Sequence, residues 1–165
     1  MDLWLVGYGA WPATTRAARL VEALRSRGVT RVVDVRLSPC AADPVEGRPY
    51  GPKPWNLWAG TGGIVGLLAA AAIDYTWLVE LGNPQRQDPA MAVLRAQLAD
   101  PSGAWPVHRG LERLAAMVGR AGEVLALLCA CGDGRSCHRT LVAEALNARH
   151  FAGSLALREV ADRRI

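Results

Sequence analysis

The sequence predicts an α/β fold: one domain, a three-layer sandwich in which a mostly parallel sheet of four or five strands carries helices on both faces. Three observations predict it. Short apolar, β-branched runs alternate along the chain with longer segments of helical periodicity, the pattern of parallel strands joined by crossover helices. Each run gives way to glycine or polar residues, as strands do at the edge of a sheet. At 165 residues and 51% apolar composition, one domain can bury about two-thirds of its unfolded surface without a covalent staple.

The elements follow in order. Leu3 to Gly7 reads as a strand, and Thr14 to Arg27 as a helix whose apolar stripe is Ala17, Leu20, Val21 and Leu24, with Gly28 as its stop. Arg31 to Val35 is the next strand, so these three elements make a βαβ unit of right-handed sense. Five prolines between Pro39 and Trp55 exclude both a central strand and an unbroken helix, which leaves a loop or lid over 38–56. Leu57 to Ala72 reads as a helix and Asp74 to Val79 as the third strand. Pro89 to Leu98, capped by Asp88, and Val107 to Val118, with Leu111, Leu114, Ala115 and Val118 on one face, are helices. Val124 to Leu128 is the fourth strand, Ser136 caps a helix from Cys137 to Ala148, and Ser154 to Arg158 is an edge strand.

Composition bounds the function. The net charge of +4 comes from 19 basic residues, of which Lys53 is the one lysine. They are dispersed, so a nucleic-acid-binding tail is disfavoured, while an anionic small molecule, a nucleotide or a nucleic-acid surface stays open as partner. The longest smooth stretch, 62–73, is far shorter than the roughly 20 residues that span a bilayer, so no membrane partner is expected. Three of the four cysteines fall within nine positions. They cannot staple a domain, and with no signal-peptide pattern the expected setting is the reducing cytoplasm. Nothing in the composition fixes an oligomeric state.

In open α/β sheets, ligands bind beyond the carboxyl ends of the strands. The endings here are Gly7-Tyr8-Gly9, Asp34 with Arg36, Glu80-Leu-Gly82-Asn83, and Cys129 to Arg139. The last holds Cys129, Cys131, Cys137, His138, Arg135 and Arg139 in eleven residues. Cys129-Ala-Cys-Gly-Asp-Gly-Arg135-Ser matches the spacing of cysteine phosphatases, in which backbone amides and an arginine hold an oxyanion over a thiolate. Cys137, His138 and Arg139 are expected in the first turn of the following helix, where the dipole favours anions and a thiolate at Cys137. The blander alternative makes Cys137 a small core residue and pairs Arg139 with Asp34. A metal held by Cys129, Cys131, Cys137 and His138 is disfavoured, because the spacing matches no common finger and adjacent helical residues point about 100° apart. No cofactor is required.

Asp34 and Arg36, two apart on one strand face, can form a salt bridge; alternatively Asp34 orients His138 or acts as general base. Glu80 is a second carboxylate for the cleft or a surface residue. Trp55 and Trp58 flank the Pro-rich segment, where they can stack on a base or sugar or pack the loop.

Leu5-Val-Gly-Tyr-Gly9, Val32-Val-Asp-Val-Arg36 with Ser38-Pro39, Asp74-Tyr75 with Leu81-Gly82, and Leu127-Leu-Cys-Ala130 with Cys137-His-Arg139 together resemble the bacterial family called domain of unknown function 488. The resemblance implies a compact intracellular α/β domain without a settled activity. It draws attention to Asp34, Arg36, Cys129, Cys137, His138 and Arg139. The family pattern has Cys-x-Glu after the fourth strand; this chain has Cys131 in place of the acid, followed by Gly132-Asp133-Gly134. Cys40 likewise replaces a polar residue of the pattern.

The expected function is an enzyme, a hydrolase or transferase, binding a phosphate-bearing or nucleotide-like anion. Asp34, Cys129, Cys137 and His138 are its candidate catalytic residues, and Tyr8, Arg36, Trp55, Glu80, Arg135 and Arg139 its candidate substrate-binding residues. Two alternatives stand beside it: cleavage of an N-glycosidic bond with Glu80 or Asp34 as the carboxylate, and a non-catalytic nucleic-acid-binding or protein-binding module.

Overall fold

The computed structural model describes residues 1–37, 63–85 and 88–160. Five strands, β1 (Asp2–Gly7), β2 (Arg31–Asp34), β3 (Asp74–Trp77), β4 (Leu125–Cys129) and β5 (Ala156–Glu159), form one sheet in the order β3-β2-β4-β1-β5. Every pairing in it is parallel. The helices among the described residues are α1 (Arg16–Arg25), α2 (Gly63–Ala70), α3 (Ala92–Ala99), α4 (Pro106–Ala115) and α5 (His138–His150). The expected α/β architecture is therefore present, and the sheet is wholly parallel. The Pro-rich stretch, Cys40, Trp55, Trp58 and the start of the expected second helix lie outside the described residues.

The strands alternate between two cores. Val6, Val32, Ala126 and Leu128 pack with Leu20 and Leu24 of α1 and Ile64 and Leu68 of α2. Leu3, Leu5, Val33, Leu125 and Leu127 pack with Leu94, Leu111, Leu114, Val142 and Leu146 from the other three helices. Residues of period two on a strand face opposite ways, so the near-continuous apolar runs are what a sheet covered on both sides requires.

Local signals set the ends of the elements. Gly28, at φ +65°, takes the left-handed turn after α1. Pro106 opens α4, where a missing amide hydrogen costs nothing. Asp88 accepts from the amides of Ala90 and Ala92, but it is not the N-cap expected of it: α3 begins at Ala92, with Met91 as its N-cap in left-handed backbone.

The topology places the site. From β1 the chain moves to β2 and β3 with α1 and α2 on one face; it returns to β4 and continues to β5 with α3, α4 and α5 on the other. Strands β1 and β4 are neighbours whose outgoing connections run in opposite directions. A crevice opens between such strands at their carboxyl ends. The last register pair there is Gly7 opposite Cys129.

Candidate functional site

Gly7 and Gly9 let the two strand ends meet. A Cβ on Gly7 would stand 1.8 Å from the carbonyl oxygen of Cys131 and 2.5 Å from Nη1 of Arg139, and one on Gly9 would stand 2.3 Å from the carbonyl oxygen of Ala130. The turn after β1 therefore lies directly against the turn after β4. Only glycine permits that approach.

On the α1/α2 face of the sheet, Asp34 is fully buried. Its carboxylate accepts from Arg36 Nε at 2.9 and 3.0 Å, from Arg36 Nη2 at 2.5 Å, from the Arg36 amide at 3.0 Å and from the Tyr75 hydroxyl at 2.7 Å. Arg36 Nη1 donates to the Tyr8 hydroxyl at 3.1 Å, and its guanidinium lies 5.4 Å from the Tyr8 ring centroid. Burial opposes the charge on Arg36, but the hydrogen bonds and charge of Asp34 outweigh it and raise the guanidinium above its ordinary pKa. Tyr75 is also raised, by burial and then by the adjacent Asp34 charge. The salt bridge between Asp34 and Arg36 is the alternative the geometry realises. With both carboxylate oxygens occupied, Asp34 neither orients His138 nor pairs with Arg139.

On the opposite face stand the thiols. Cys129 closes β4, with its Sγ 3.7 Å from Cys131 Sγ and 3.6 Å from His138 Nδ1. The Sγ atoms of Cys129, Cys131 and Cys137 all lie within 4.8 Å of one another. Cys129 and Cys137 are buried and Cys131 is half-buried. Cys137 is not in the first helical turn as expected: it is the N-cap of α5, in extended backbone at φ −116° and ψ 137°. The angular objection to a shared ligand set therefore does not hold, because Cys137 and His138 do not follow one another with helical spacing. Among the described residues, the three sulfurs are close enough together to hold one metal ion, and His138 Nδ1 stands beside them.

Charge within the cluster is uneven. The thiol of Cys129 is pushed up to about 11, chiefly by its hydrogen bond to Cys131, with burial adding to it. Cys137 is raised by its bonds to Cys129 and Cys131, whereas Cys131, which receives from both, is lowered. The sulfur favoured as thiolate is thus Cys131 rather than Cys129 or Cys137. His138 Nε2 donates to the carbonyl of Val35 at 2.8 Å. Burial disfavours its charge, but hydrogen bonds to Cys137 and Val35 raise its pKa.

Arg139 is 1% exposed. It donates through Nη1 to the Cys131 carbonyl at 3.1 Å and through Nη2 to Glu159 at 3.1 Å, while its buried Nε has no partner among the described residues. Glu159 on β5, not Asp34, neutralises it. Arg135 behaves differently: its side chain is 92% exposed and bonded to Asp133 at 3.2 Å, so it does not close over the buried Cys129 as the phosphatase spacing implies. Glu80 sits in a 3-10 turn after β3 (Val79–Leu81) and accepts from Arg113 of α4 at 2.6 Å, with Arg109 at 3.9 Å. Its contacts fasten that turn to α4.

The structure therefore brings Tyr8, Arg36 and Asp34 to one side of the β2-β4-β1 carboxyl edge and Cys129, Cys137, His138 and Arg139 to the other. The candidate catalytic and binding residues read from the sequence leave out Cys131 and Glu159. For Cys131 a signal existed: two residues beyond Cys129 in extended chain, it shares that residue's face. Cavities lined by Val65, Ala69, Ile73 and Tyr75, and by Ala17, Val21, Arg25 and Leu67, have none of the thiols, His138 or the cleft arginines among their walls. No helix among the described residues is long and apolar enough to cross a membrane.

No curated protein and no solved structure matches the chain. The family model described as Domain of unknown function DUF488 matches residues 65–146, a region that includes Cys129, Cys131, Cys137, His138 and Arg139 and leaves out Tyr8, Asp34 and Arg36. Over that region the chain is similar to the DUF488 family.

Proposed function

We propose that this chain is an enzyme acting on a small anionic molecule, phosphate-bearing or nucleotide-like, at the carboxyl edge of β2, β4 and β1. One observation supports the reading: a thiol and imidazole cluster with buried Arg139 on one face, and buried Arg36 on the other, flank the carboxyl edge where oppositely directed connections leave neighbouring strands. Such crevices are where open α/β sheets take ligands. Arg135 is the exposed cation of this turn, held by Asp133 at 3.2 Å, and would meet an incoming anion by exchanging that partner. Arg36 and Arg139, each paired with a carboxylate, stand behind it, and the cluster of Cys129, Cys131, Cys137 and His138 lies beside Arg139.

Thermal unfolding with and without phosphate, sulfate and nucleotides tests the reading, because a ligand that binds only the native state raises the melting temperature by mass action. The wild type should be stabilised by at least one of these anions. Arg135→Ala should melt at the same temperature without ligand and lose that stabilisation. A wild-type melting temperature indifferent to every anion overturns the assignment.

A further inference from the structure

We propose that Cys129, Cys131, Cys137 and the Nδ1 atom of His138 form a tetrahedral zinc site that ties the end of β4 to the start of α5. The proposal rests on the site assigned above and names the ion that would fix one wall of it.

Distances carry the argument. Zinc holds thiolate sulfur at about 2.3 Å and imidazole nitrogen at about 2.0–2.1 Å, so a tetrahedral ion separates two sulfur ligands by about 3.8 Å and a sulfur from a nitrogen by about 3.6 Å. Cys129 and Cys131 sulfurs are 3.7 Å apart, and Cys129 Sγ lies 3.6 Å from His138 Nδ1. The third sulfur, on Cys137, is within 4.8 Å of both others.

The surroundings prepare the same four atoms. His138 donates from Nε2 to the carbonyl of Val35 at 2.8 Å, which puts the ring proton on Nε2 and leaves the Nδ1 lone pair on the side of Cys129, 3.6 Å from its sulfur. Each ligand is held by backbone contacts. Cys129 is the last residue of β4, Cys131 receives Arg139 on its carbonyl at 3.1 Å, and the Cys137 amide donates to Gly134 at 3.1 Å. The Thr140 hydroxyl donates to the same Gly134 carbonyl at 2.7 Å. Three thiols and one imidazole are a soft, four-membered donor set, which suits zinc and rejects magnesium or calcium. On binding, each thiol loses its proton to solvent and all four coordination positions are filled by protein. A closed set of this kind is structural. It fixes the 130–136 turn on which Arg135 is carried.

The competing arrangement is a set of thiols hydrogen-bonded to one another and to His138 with no ion. Metal analysis of the purified full chain, competition with a chromogenic chelator, and thiol titration with a disulfide reagent separate the two. The expected result is one zinc per chain, with Cys129, Cys131 and Cys137 reacting only after chelation. Cobalt substituted for zinc should give the absorption of a tetrahedral thiolate complex. Cys131→Ser, which alters the half-exposed ligand, should weaken zinc binding at least about ten-fold. If reconstituted wild type retains no zinc and all four cysteines titrate without chelator, the site does not exist. That measurement uses wild type alone, so a variant that fails to fold does not blur it. Zinc bound without any anion effect defeats the enzymatic reading only, and anion stabilisation without zinc defeats the metal site only.

Discussion

The carboxyl edge of the sheet carries two polar clusters on opposite faces, and they are built in opposite ways. The Asp34 cluster is complete: its carboxylate accepts four hydrogen bonds from Arg36 and one from Tyr75, and Trp77 Nε1 donates to the Arg36 carbonyl at 2.8 Å. The cysteine cluster has unspent capacity, with three sulfurs within 4.8 Å of one another and the His138 Nδ1 3.6 Å from one of them. Buried ionic groups persist when every partner is supplied. A group of soft donors that partner only one another is poised to take something else. The first cluster thus reads as a fastening for the edge, and the second as the place where chemistry or an ion enters.

The comparison breaks most visibly at Asp34. Asp34→Ala strands the buried Arg36 charge and should cost roughly 3–5 kcal/mol in denaturant unfolding. Combining it with Arg36→Met should recover a large part of the loss, since an apolar replacement leaves no unpaired charge. A single variant as stable as wild type would mean the network is not a fastening.

Chelation comes next in size. If zinc is resident, removing it should lower the melting temperature, by the equivalent of about 4 kcal/mol where free zinc stands at a thousand times its dissociation constant. Asp34→Ala should respond to the chelator as wild type does, because the two clusters occupy different faces. A chelator response confined to one of the two proteins would show that they are coupled.

Tyr75→Phe should cost about 1.5–3 kcal/mol, the range for a hydrogen bond to a charged group. Its pH dependence has a definite sign. The folded-state pKa of Tyr75 lies above the ordinary 10.0, so its contribution is full below about pH 10 and is lost as the pH rises beyond that toward the folded value. Wild type should therefore lose stability above pH 10 more steeply than the variant, as measured by chemical unfolding across that range.

Smallest of all is Glu80→Gln. Its main partner, Arg113, is half exposed, and pairs of that kind contribute about 0–1 kcal/mol. Anion-dependent melting should be unaltered, which separates a contact that fastens a turn from one that binds a substrate.

Much of this is legible in the sequence. Period-two and period-3.6 patterns mark the strands and helices because burial on both faces of a parallel sheet leaves little choice of residue. The pairing of Asp34 with Arg36 follows from a two-residue spacing on one strand face. Local propensity puts Cys137 one position too far along, inside the helix rather than at its cap, and that single residue decides whether the thiols and His138 can share an ion. Backbone angles at a helix boundary depend on what the preceding turn can reach, here the Gly134 carbonyl, and propensity does not encode that. The acid opposite Arg139 is hidden for a related reason. Glu159 is twenty residues further on, across an edge strand, and only the sheet order brings the two together.

The contact of Gly7 with the 130–131 turn also sets when the site can come into being. Strand β1, made first during synthesis, has β4 and β5 as its neighbours, so no partner exists for it until the chain has been extended by more than a hundred residues. Leu5 waits for Leu127 and Glu159. A nascent chain stopped before β4 holds β2 and β3 but neither side of the crevice, and one stopped before β5 has the thiols without the carboxylate that offsets Arg139. The cleft is therefore the last part of this sheet to assemble, and its completion reports that β1 has found β4 and β5.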